Sequence, residues 1–285
     1  MTTSPWASDF IFGSASTGSC SILFSTDVTG ISTVRSKEFA SDIRSLAWSP
    51  NGRHLHALDS RAANIFNFYI ADELSLQYQN ATDSLTNITT AEQMVTHPTG
   101  NLVYVVTRDS NELVTIPLQE ETRNIESPVP SRFKILPSSI DASLYTTSSL
   151  AISSSRTSLW TLSQSTSQAI VTVFGLNATT GEVIGAVARA GWTGYGLGQI
   201  APAPFGNDDI VAVTNSPLGY TAFLGLDRST QAMGEYGDVK VPNDDFLEDM
   251  WMLGVQKNAA AALKLKSYGR IELGYDHLGE GVWVD

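Results

Sequence analysis

Residues Glu92–Leu118 read EQMVTHPTGNLVYVVTRDSNELVTIPL, and this stretch decides the fold class. A short apolar strand comes first, and HPTGN follows it as a turn, because Pro and Gly supply the backbone angles that tight turns need. A second strand is predicted at Val103–Val106, then a polar break, then a third strand rich in β-branched residues. This order is typical of an antiparallel sheet built from consecutive segments of the chain.

Three other stretches repeat the same order. They begin at Ile43 (IRSLAWSPNGRHLHALDSRAANIFNFYI), Ser149 (SLAISSSRTSLWTLSQSTSQAIVTVFGL) and Leu197 (LGQIAPAPFGNDDIVAVTNSPLGYTAFLGL), with second strands predicted at Leu55–Leu58, Leu159–Leu162 and Ile210–Val213. The equivalent turn positions Pro50, Pro98, Ser154 and Pro204 are separated by about 48, 56 and 50 residues. Periods near 50 with three or four strands each favour β-propeller blades, since helical repeats are shorter.

The two ends of the chain complement each other. GVWVD at the C-terminus has the pattern of a first strand, and Ser8–Ser25 that of a second and third strand with no first. Pairing Val282–Val284 into the N-terminal blade would close a ring and leave no open sheet edge. With an irregular unit between Phe246 and Tyr275, the sequence predicts an all-β, six-bladed propeller forming a single domain, residues 1–285.

Composition limits the possible partners. The chain has 285 residues, with 17 Lys+Arg against 29 Asp+Glu, for a formal net charge of −12. This balance argues against nucleic acid and anionic membrane surfaces as partners. No apolar run approaches the roughly 20 residues that a membrane span needs. Cys20 is the single cysteine and the four histidines are not clustered as ligands, so we expect no metal and no other cofactor.

The turn HPTGN after an apolar strand, the segment SPNGRHLHALD and the C-terminal GVWVD together resemble the lactonase-type β-propeller family. Fungal carboxy-cis,cis-muconate lactonizing enzymes look most similar, and bacterial 6-phosphogluconolactonases are relatives. The family usually has seven blades in a longer chain, so the resemblance implies that an N-terminal portion is lacking here.

The resemblance also implies a site, because the muconate enzymes are thought to use a His, two Arg and a Glu lining a central channel. The family His falls on Arg44, one Arg on Glu92, the Glu on Arg108, and the second Arg at or near Gln164. No position keeps its residue type, which puts muconate lactonization in doubt.

Further residues are predicted to line the channel with these four, because first strands face the axis of a propeller and its rim loops form the pocket. They are Tyr195, Gln199, Asn215, Trp251 and Glu280. The glycines of GYGLG, residues 194–198, are expected to let the backbone approach closely, since no helix follows to make a phosphate loop. There is no G-x-S-x-G motif, which makes a serine hydrolase an unfavourable interpretation.

Three functions remain open. The first is a cofactor-free cyclase of fungal secondary metabolism acting on a hydrophobic, conjugated small molecule. Propellers related to the muconate enzymes act as hetero-Diels–Alderases in tropolone–sesquiterpenoid pathways. Arg44, Arg108 or Gln164 would then polarise an oxygen of the substrate.

The second is a lactonase or lactonizing enzyme with Glu92 as general acid–base. A calcium-dependent variant would recruit Glu92, Asn215, Asp249 and Glu280. The third is a non-catalytic protein-binding propeller, although WD-type repeats are absent.

Localisation and oligomeric state are left open by the sequence. Met1–Ser8 lacks the basic and apolar regions of a signal peptide, which predicts a cytoplasmic protein. Asn-x-Thr sequons at Asn80, Asn87 and Asn177 would instead fit a secretory protein if the chain is a processed form.

Overall fold

A computed structural model of the chain describes residues 2–3, 10–14, 20–27, 30–38, 42–61, 63–70, 76–82, 88, 90–118, 130–193, 198–204, 209–214, 219–227, 251–252 and 263–272. These residues form five β-sheets and one short 3-10 helix, Ala142–Leu144. None of the helical structure described is long and apolar enough to cross a bilayer.

The sheets follow one another along the chain. The first contains β1 (Thr2–Thr3), β2 (Phe10–Ser14), β3 (Cys20–Asp27) and β4 (Gly30–Glu38), and the second contains β5 (Ile43–Trp48), β6 (His54–Asp59), β7 (Asn64–Ile70) and β8 (Leu76–Thr82). The third contains β9 (Ala91–Thr96), β10 (Leu102–Thr107), β11 (Glu112–Pro117) and β12 (Ser131–Lys134). In each of these sheets the strands are neighbours in sequence order.

The last two sheets also take strands from a distant segment. The fourth orders β13 (Thr146–Ile152), β14 (Ser158–Gln164), β15 (Gln168–Leu176) and β16 (Val183–Thr193), followed at its edge by β20 (Trp251–Met252). The fifth orders β17 (Gln199–Pro202), β18 (Ile210–Thr214), β19 (Tyr220–Asp227) and β21 (Lys264–Glu272). The four predicted second strands lie within β6, β10, β14 and β18, which confirms the repeat.

The turn between first and second strands repeats in its hydrogen bonds as well as in its sequence. The backbone N–H of Ser49 donates to the carbonyl of His54, that of His97 to Leu102, and that of Ser153 to Ser158. Three residues later φ is positive in each turn, at Gly52, Gly100 and Arg156. The repeated unit is therefore set by the same local geometry in three sheets.

Second strands carry the apolar cores because they are buried on both faces. All seven residues of β14, including Trp160, are buried, and five of six in β10.

The chain divides into two compact units, Met1–Thr107 with Val114–Ser131, and Arg108–Leu113 with Arg132–Asp285. In the first unit, one core contains Leu58, Ile65, Met94, Val103, Val105, Val114 and Ile116. In the second, the largest contains Trp160, Leu162, Val171, Val173, Trp192, Val211, Val213 and Leu224.

The predicted sixth unit is wrong as a separate sheet. Trp251–Met252 pairs with Ala190 and Gly191 at the edge of the fourth sheet. Lys264–Glu272 pairs along the whole of Tyr220–Asp227 and completes the fifth sheet. The physical reason is that β16 and β19 each take an antiparallel partner from this segment, so its strands extend existing sheets.

The first sheet also differs from expectation at its inner edge. Thr2 and Thr3 pair with Phe12 and Ile11 of β2, where the C-terminal strand was predicted. Residues 273–285 lie outside the described residues, so closure by Val282–Val284, the blade count and the single domain stay predictions. Of the sequons, Asn177 is exposed in the turn after β15, and Asn87 lies outside the described residues.

Candidate active site

The first strand of three sheets carries a β-bulge close to its start. In the second sheet Ile43 pairs with Asp59 and Ser45 with Leu58, so the ladder skips Arg44. In the third, Ala91 pairs with Thr107 and Gln93 with Val106, so it skips Glu92. In the fourth, Thr147 pairs with Ser163 and Ser149 with Leu162, so it skips Ser148.

The bulge gives Arg44, Glu92 and Ser148 the same position in their sheets. A bulged residue is unpaired and its side chain is re-aimed, which is why bulges are frequent beside active sites. Each of the three is more exposed than the buried residue before it, which is Ile43, Ala91 or Thr147 respectively. Two of the three were predicted as site residues, and Ser148 was missed because a serine within a run of five hydroxyl-bearing residues, Tyr145–Ser149, gives no sequence signal.

Arg44 is held by a local ion pair. Its Nε lies 2.8 Å from Asp42 Oδ2, and both side chains are partly exposed, 37% and 26%. Such an exposed pair contributes little to stability, about 0–1 kcal/mol. The pair orients the Arg44 side chain, because the carboxylate of Asp42 binds the Nε edge of the guanidinium.

Glu92 and Arg108 are available side chains, each within its own unit. The partly buried carboxylate of Glu92 makes no hydrogen bond or ion pair with any residue described in the first unit. Arg108 follows β10 in an exposed turn, and its guanidinium makes no ion pair among the residues described in the second unit. The backbone of Arg108 is fixed, because its carbonyl accepts from the N–H of Thr147 at 2.9 Å.

Gln164 ends β14 and is 6% exposed. Its Nε2 donates to Ser148 Oγ at 3.1 Å and to the carbonyl of Gly198 at 3.3 Å. A carbonyl cannot donate, so the amide nitrogen must be the atom facing Gly198. The remaining Oε1 is buried and has no hydrogen-bond partner among the described residues. The Gln164 amide therefore donates to groups of the protein and keeps its oxygen without a partner among the described residues. The sequence instead predicted that Gln164 would donate to an oxygen of the substrate.

Gly198 packs closely against β14, and most closely against Leu162. A Cβ at this residue would lie 2.8 Å from Leu162 Cδ2 and 3.5 Å from Gln164 Nε2. The backbone at Gly198 therefore packs closely against β14, and the predicted approach of GYGLG to a channel stays a prediction. Gln199 follows as the first residue of β17, the first strand of its sheet, and is partly buried.

Hydroxyl groups join successive first strands beside these residues. Ser149 Oγ accepts from the backbone N–H of Ile200 at 2.9 Å, linking β13 to β17. Ser45, at the equivalent position of β5, accepts from the N–H of Met94 at 3.1 Å, linking β5 to β9. The serine after the bulge thus has a structural role in β5 and in β13.

A buried polar chain supports the start of β13 from its other side. Thr147 Oγ1 donates to Asn111 Oδ1 at 2.8 Å and lies 2.7 Å from Ser163 Oγ. The Nδ2 of Asn111 donates to the carbonyl of Tyr145 at 2.9 Å and to that of Ala142 at 3.0 Å. This network fixes the backbone from which Ser148 projects.

The other predicted site residues stay predictions. Trp251 pairs with Gly191 at the edge of the fourth sheet opposite to β13. Tyr195, Asn215 and Glu280 lie outside the described residues, as does Asp249 of the calcium variant. Among the described residues, no three His, Cys, Asp or Glu side chains are grouped to hold a metal ion.

Comparison with known proteins identifies the fold of the chain through solved structures. The sequence matches no protein-family model and no curated protein. The structure resembles a putative 6-phosphogluconolactonase from Bacteroides uniformis, with a TM-score of 0.60, 11% identity, and coverage of 91% of this chain and 71% of that one. It also resembles the periplasmic gluconolactonase PpgL of Pseudomonas aeruginosa (TM-score 0.60, 15% identity, 90% and 69% coverage).

A third similar structure is the Cps50 (Swd1) β-propeller domain of Myceliophteria thermophila, with a TM-score of 0.53, 13% identity, and coverage of 78% and 63%. The chain has a β-propeller fold. Similarity at 11–15% identity establishes the fold alone, because propellers carry many unrelated functions.

Proposed function

We propose that this protein is an enzyme of lactone chemistry that opens the ring of a small-molecule cyclic ester. Two of the similar propellers bear lactonase names and cover 90% or more of the chain. The observation that carries the proposal is Glu92, a carboxylate on a β-bulge that makes no bond with the described residues of its unit. A carboxylate in that state is suited to general-base catalysis.

The reaction needs one base and one group that stabilises negative charge. Glu92 would take a proton from water as the water oxygen attacks the carbonyl carbon of the ring. The ring C–O bond then breaks, and the proton is returned to the departing alkoxide oxygen, so that the product is a hydroxy acid. Cationic or hydrogen-bonding groups at the developing oxyanion typically contribute a factor of about 10²–10³ to the rate. Arg44, which belongs to the same unit as Glu92, is the candidate for this role.

The experiment measures hydrolysis of D-glucono-δ-lactone by proton release in a pH-stat, corrected for the spontaneous reaction. Glu92→Gln should lower kcat by at least about 10² because the base is removed. Glu182→Gln is the matched control, since Glu182 is an exposed residue directly before β16 in the second unit. No turnover of this lactone or of unsubstituted δ- and γ-lactones by the wild-type protein would disprove the proposal.

The ring-forming cyclase stays a prediction from the sequence. Its apolar walls were expected at Tyr195 and Trp251. The first lies outside the described residues, and the second pairs at the far edge of its sheet. No observation on the described residues favours that reaction over lactone opening.

A further inference from the structure

Ser148 is the bulged residue that no sequence feature identified. It lies between Thr147 and Ser149, both buried, and is itself partly exposed. Its two neighbours use their hydroxyl groups within the protein, Thr147 on Asn111 and Ser149 on the backbone of Ile200. The bulge therefore places a partly exposed serine between two buried residues whose hydroxyl groups have structural roles.

The direction of the hydrogen bonds around Ser148 is determined by Gly198. Because its carbonyl fixes the orientation of the Gln164 amide, the Gln164 Nε2 donates to Ser148 Oγ and Ser148 must accept. The Ser148 hydroxyl is left to donate its own hydrogen. Its acceptor in the structure is the carbonyl of Gly198 at 3.4 Å, which is long for an O–H···O bond and already receives the amide of Gln164.

The cost of this arrangement indicates that Gln164 has a role beyond stability. Its Oε1 is buried without a partner among the described residues, and a buried unsatisfied carbonyl destabilises the fold. An apolar side chain of similar length at this position would avoid that cost. The amide is explained if its N–H is needed to orient and polarise the hydroxyl of Ser148.

We propose that Ser148 contacts the ligand and donates a hydrogen bond to the carbonyl oxygen of a cyclic ester, and that Gln164 is the residue that positions it. The inference rests on the proposed function for the chemical class of the ligand. It assigns the first strands of the fourth and fifth sheets, both in the second unit, as the place where the carbonyl is recognised.

The test compares two probes that share the hydroxylated six-membered ring. D-glucono-δ-lactam carries the ring carbonyl and is not opened as an ester would be, whereas 1,5-anhydro-D-glucitol lacks the carbonyl. Dissociation constants are measured by calorimetric titration of the intact protein. We expect the wild type to bind the lactam at least about tenfold more tightly, the effect of one well-placed hydrogen bond.

Four variants separate contact from structure. Ser148→Ala should lose the preference for the lactam, and Ser148→Thr, which keeps the hydroxyl, should retain it. Gln164→Met should lose the preference while binding 1,5-anhydro-D-glucitol as the wild type does, a split that a merely structural role would not produce. Ser149→Ala is the matched control, since it removes the neighbouring hydroxyl and should lower stability but leave the preference intact.

The two proposals fail separately. If Ser148→Ala keeps the lactam preference, or if the wild type shows no preference between the probes, the inference about Ser148 is overturned even if lactones are hydrolysed. If the preference exists and depends on Ser148 but no lactone is opened, the inference stands and the proposed reaction is wrong.

Discussion

Arg156 and Gly52 occupy the same position of the same turn in different sheets, and both have a left-handed backbone, with φ of 61° and 67°. Gly100 takes this position in the third sheet with φ of 84°. Glycine adopts the conformation freely, whereas a residue with a Cβ is strained by about 1–2 kcal/mol. Arg156 is exposed, so contacts of its side chain compensate little of this backbone strain.

Arg156→Gly should therefore stabilise the protein by about 1 kcal/mol and raise Tm by about 2–4 °C, measured by calorimetry. Gly52→Ala is the reciprocal control and should lower Tm by a similar amount. An unchanged or lowered Tm in Arg156→Gly would show that the equivalence of the turns does not extend to their energetics.

The serines that follow the bulges of β5 and β13 should matter for stability. Ser45→Ala leaves the Met94 N–H without its acceptor, and Ser149→Ala does the same to Ile200. Each change should cost about 1–3 kcal/mol in urea denaturation, as expected for an unsatisfied buried donor. Ser139→Ala, at an exposed turn residue, should change the free energy of unfolding by less than about 0.5 kcal/mol. Equal effects for all three variants would contradict the proposed link between first strands.

The close approach at Gly198 predicts a specific rescue. Gly198→Ala places a methyl group 2.8 Å from Leu162 Cδ2, and we expect a loss of about 1–3 kcal/mol from overpacking. In a Leu162→Ala background the added methyl has room, so the same substitution should cost less. A double-mutant cycle in urea measures the coupling between the two positions. Additive effects would mean that the strain is relieved elsewhere.

Burial of His56 predicts a pH dependence of stability. Its ring is 5% exposed, and burial lowers its pKa below the usual 6.5, with His54 adding a smaller repulsion and the hydrogen bond to Asn67 opposing both. Below pH 6.5 the unfolded chain takes up a proton that the folded protein resists, so stability falls as pH decreases towards the lowered pKa. The slope contributed by this one group is at most about 1.4 kcal/mol per pH unit.

His56→Gln should reduce that slope between pH 6.5 and 5, measured as the free energy of unfolding at several pH values. His54→Gln is the control on the same strand, where the ring is more exposed. If the wild type and His56→Gln lose stability in parallel over this range, other groups govern the acid sensitivity.

Local signals made the sheets predictable from the sequence. The Pro, Gly and Asn residues of each turn and the apolar second strands lie within short windows, and these strands were found where they were predicted. Lys264–Glu272 could not be assigned in this way, because it completes a sheet whose preceding strand ends at Asp227. Pairing between segments that far apart depends on packing, which a strand pattern does not encode.

The candidate site was predicted only in part, for a related reason. Arg44 and Glu92 are charged residues in apolar strands, so they are visible in the sequence. Ser148 has the same structural position, but it stands in the run Thr146–Ser149, where the bulge alone distinguishes it from its neighbours. The orientation of Gln164 likewise depends on a carbonyl 34 residues away in the chain.

The bulges also bear on how such a protein can change its ligand. The hydrogen-bond ladder skips Arg44, Glu92 and Ser148. The strands around each of these positions can therefore pair whichever side chain it carries. The preceding residues Ile43, Ala91 and Thr147 are buried and lack that freedom. Under the proposed function, recognition would depend on the bulged residues and folding on the residues before them, which would allow selection to alter the first with little effect on the second.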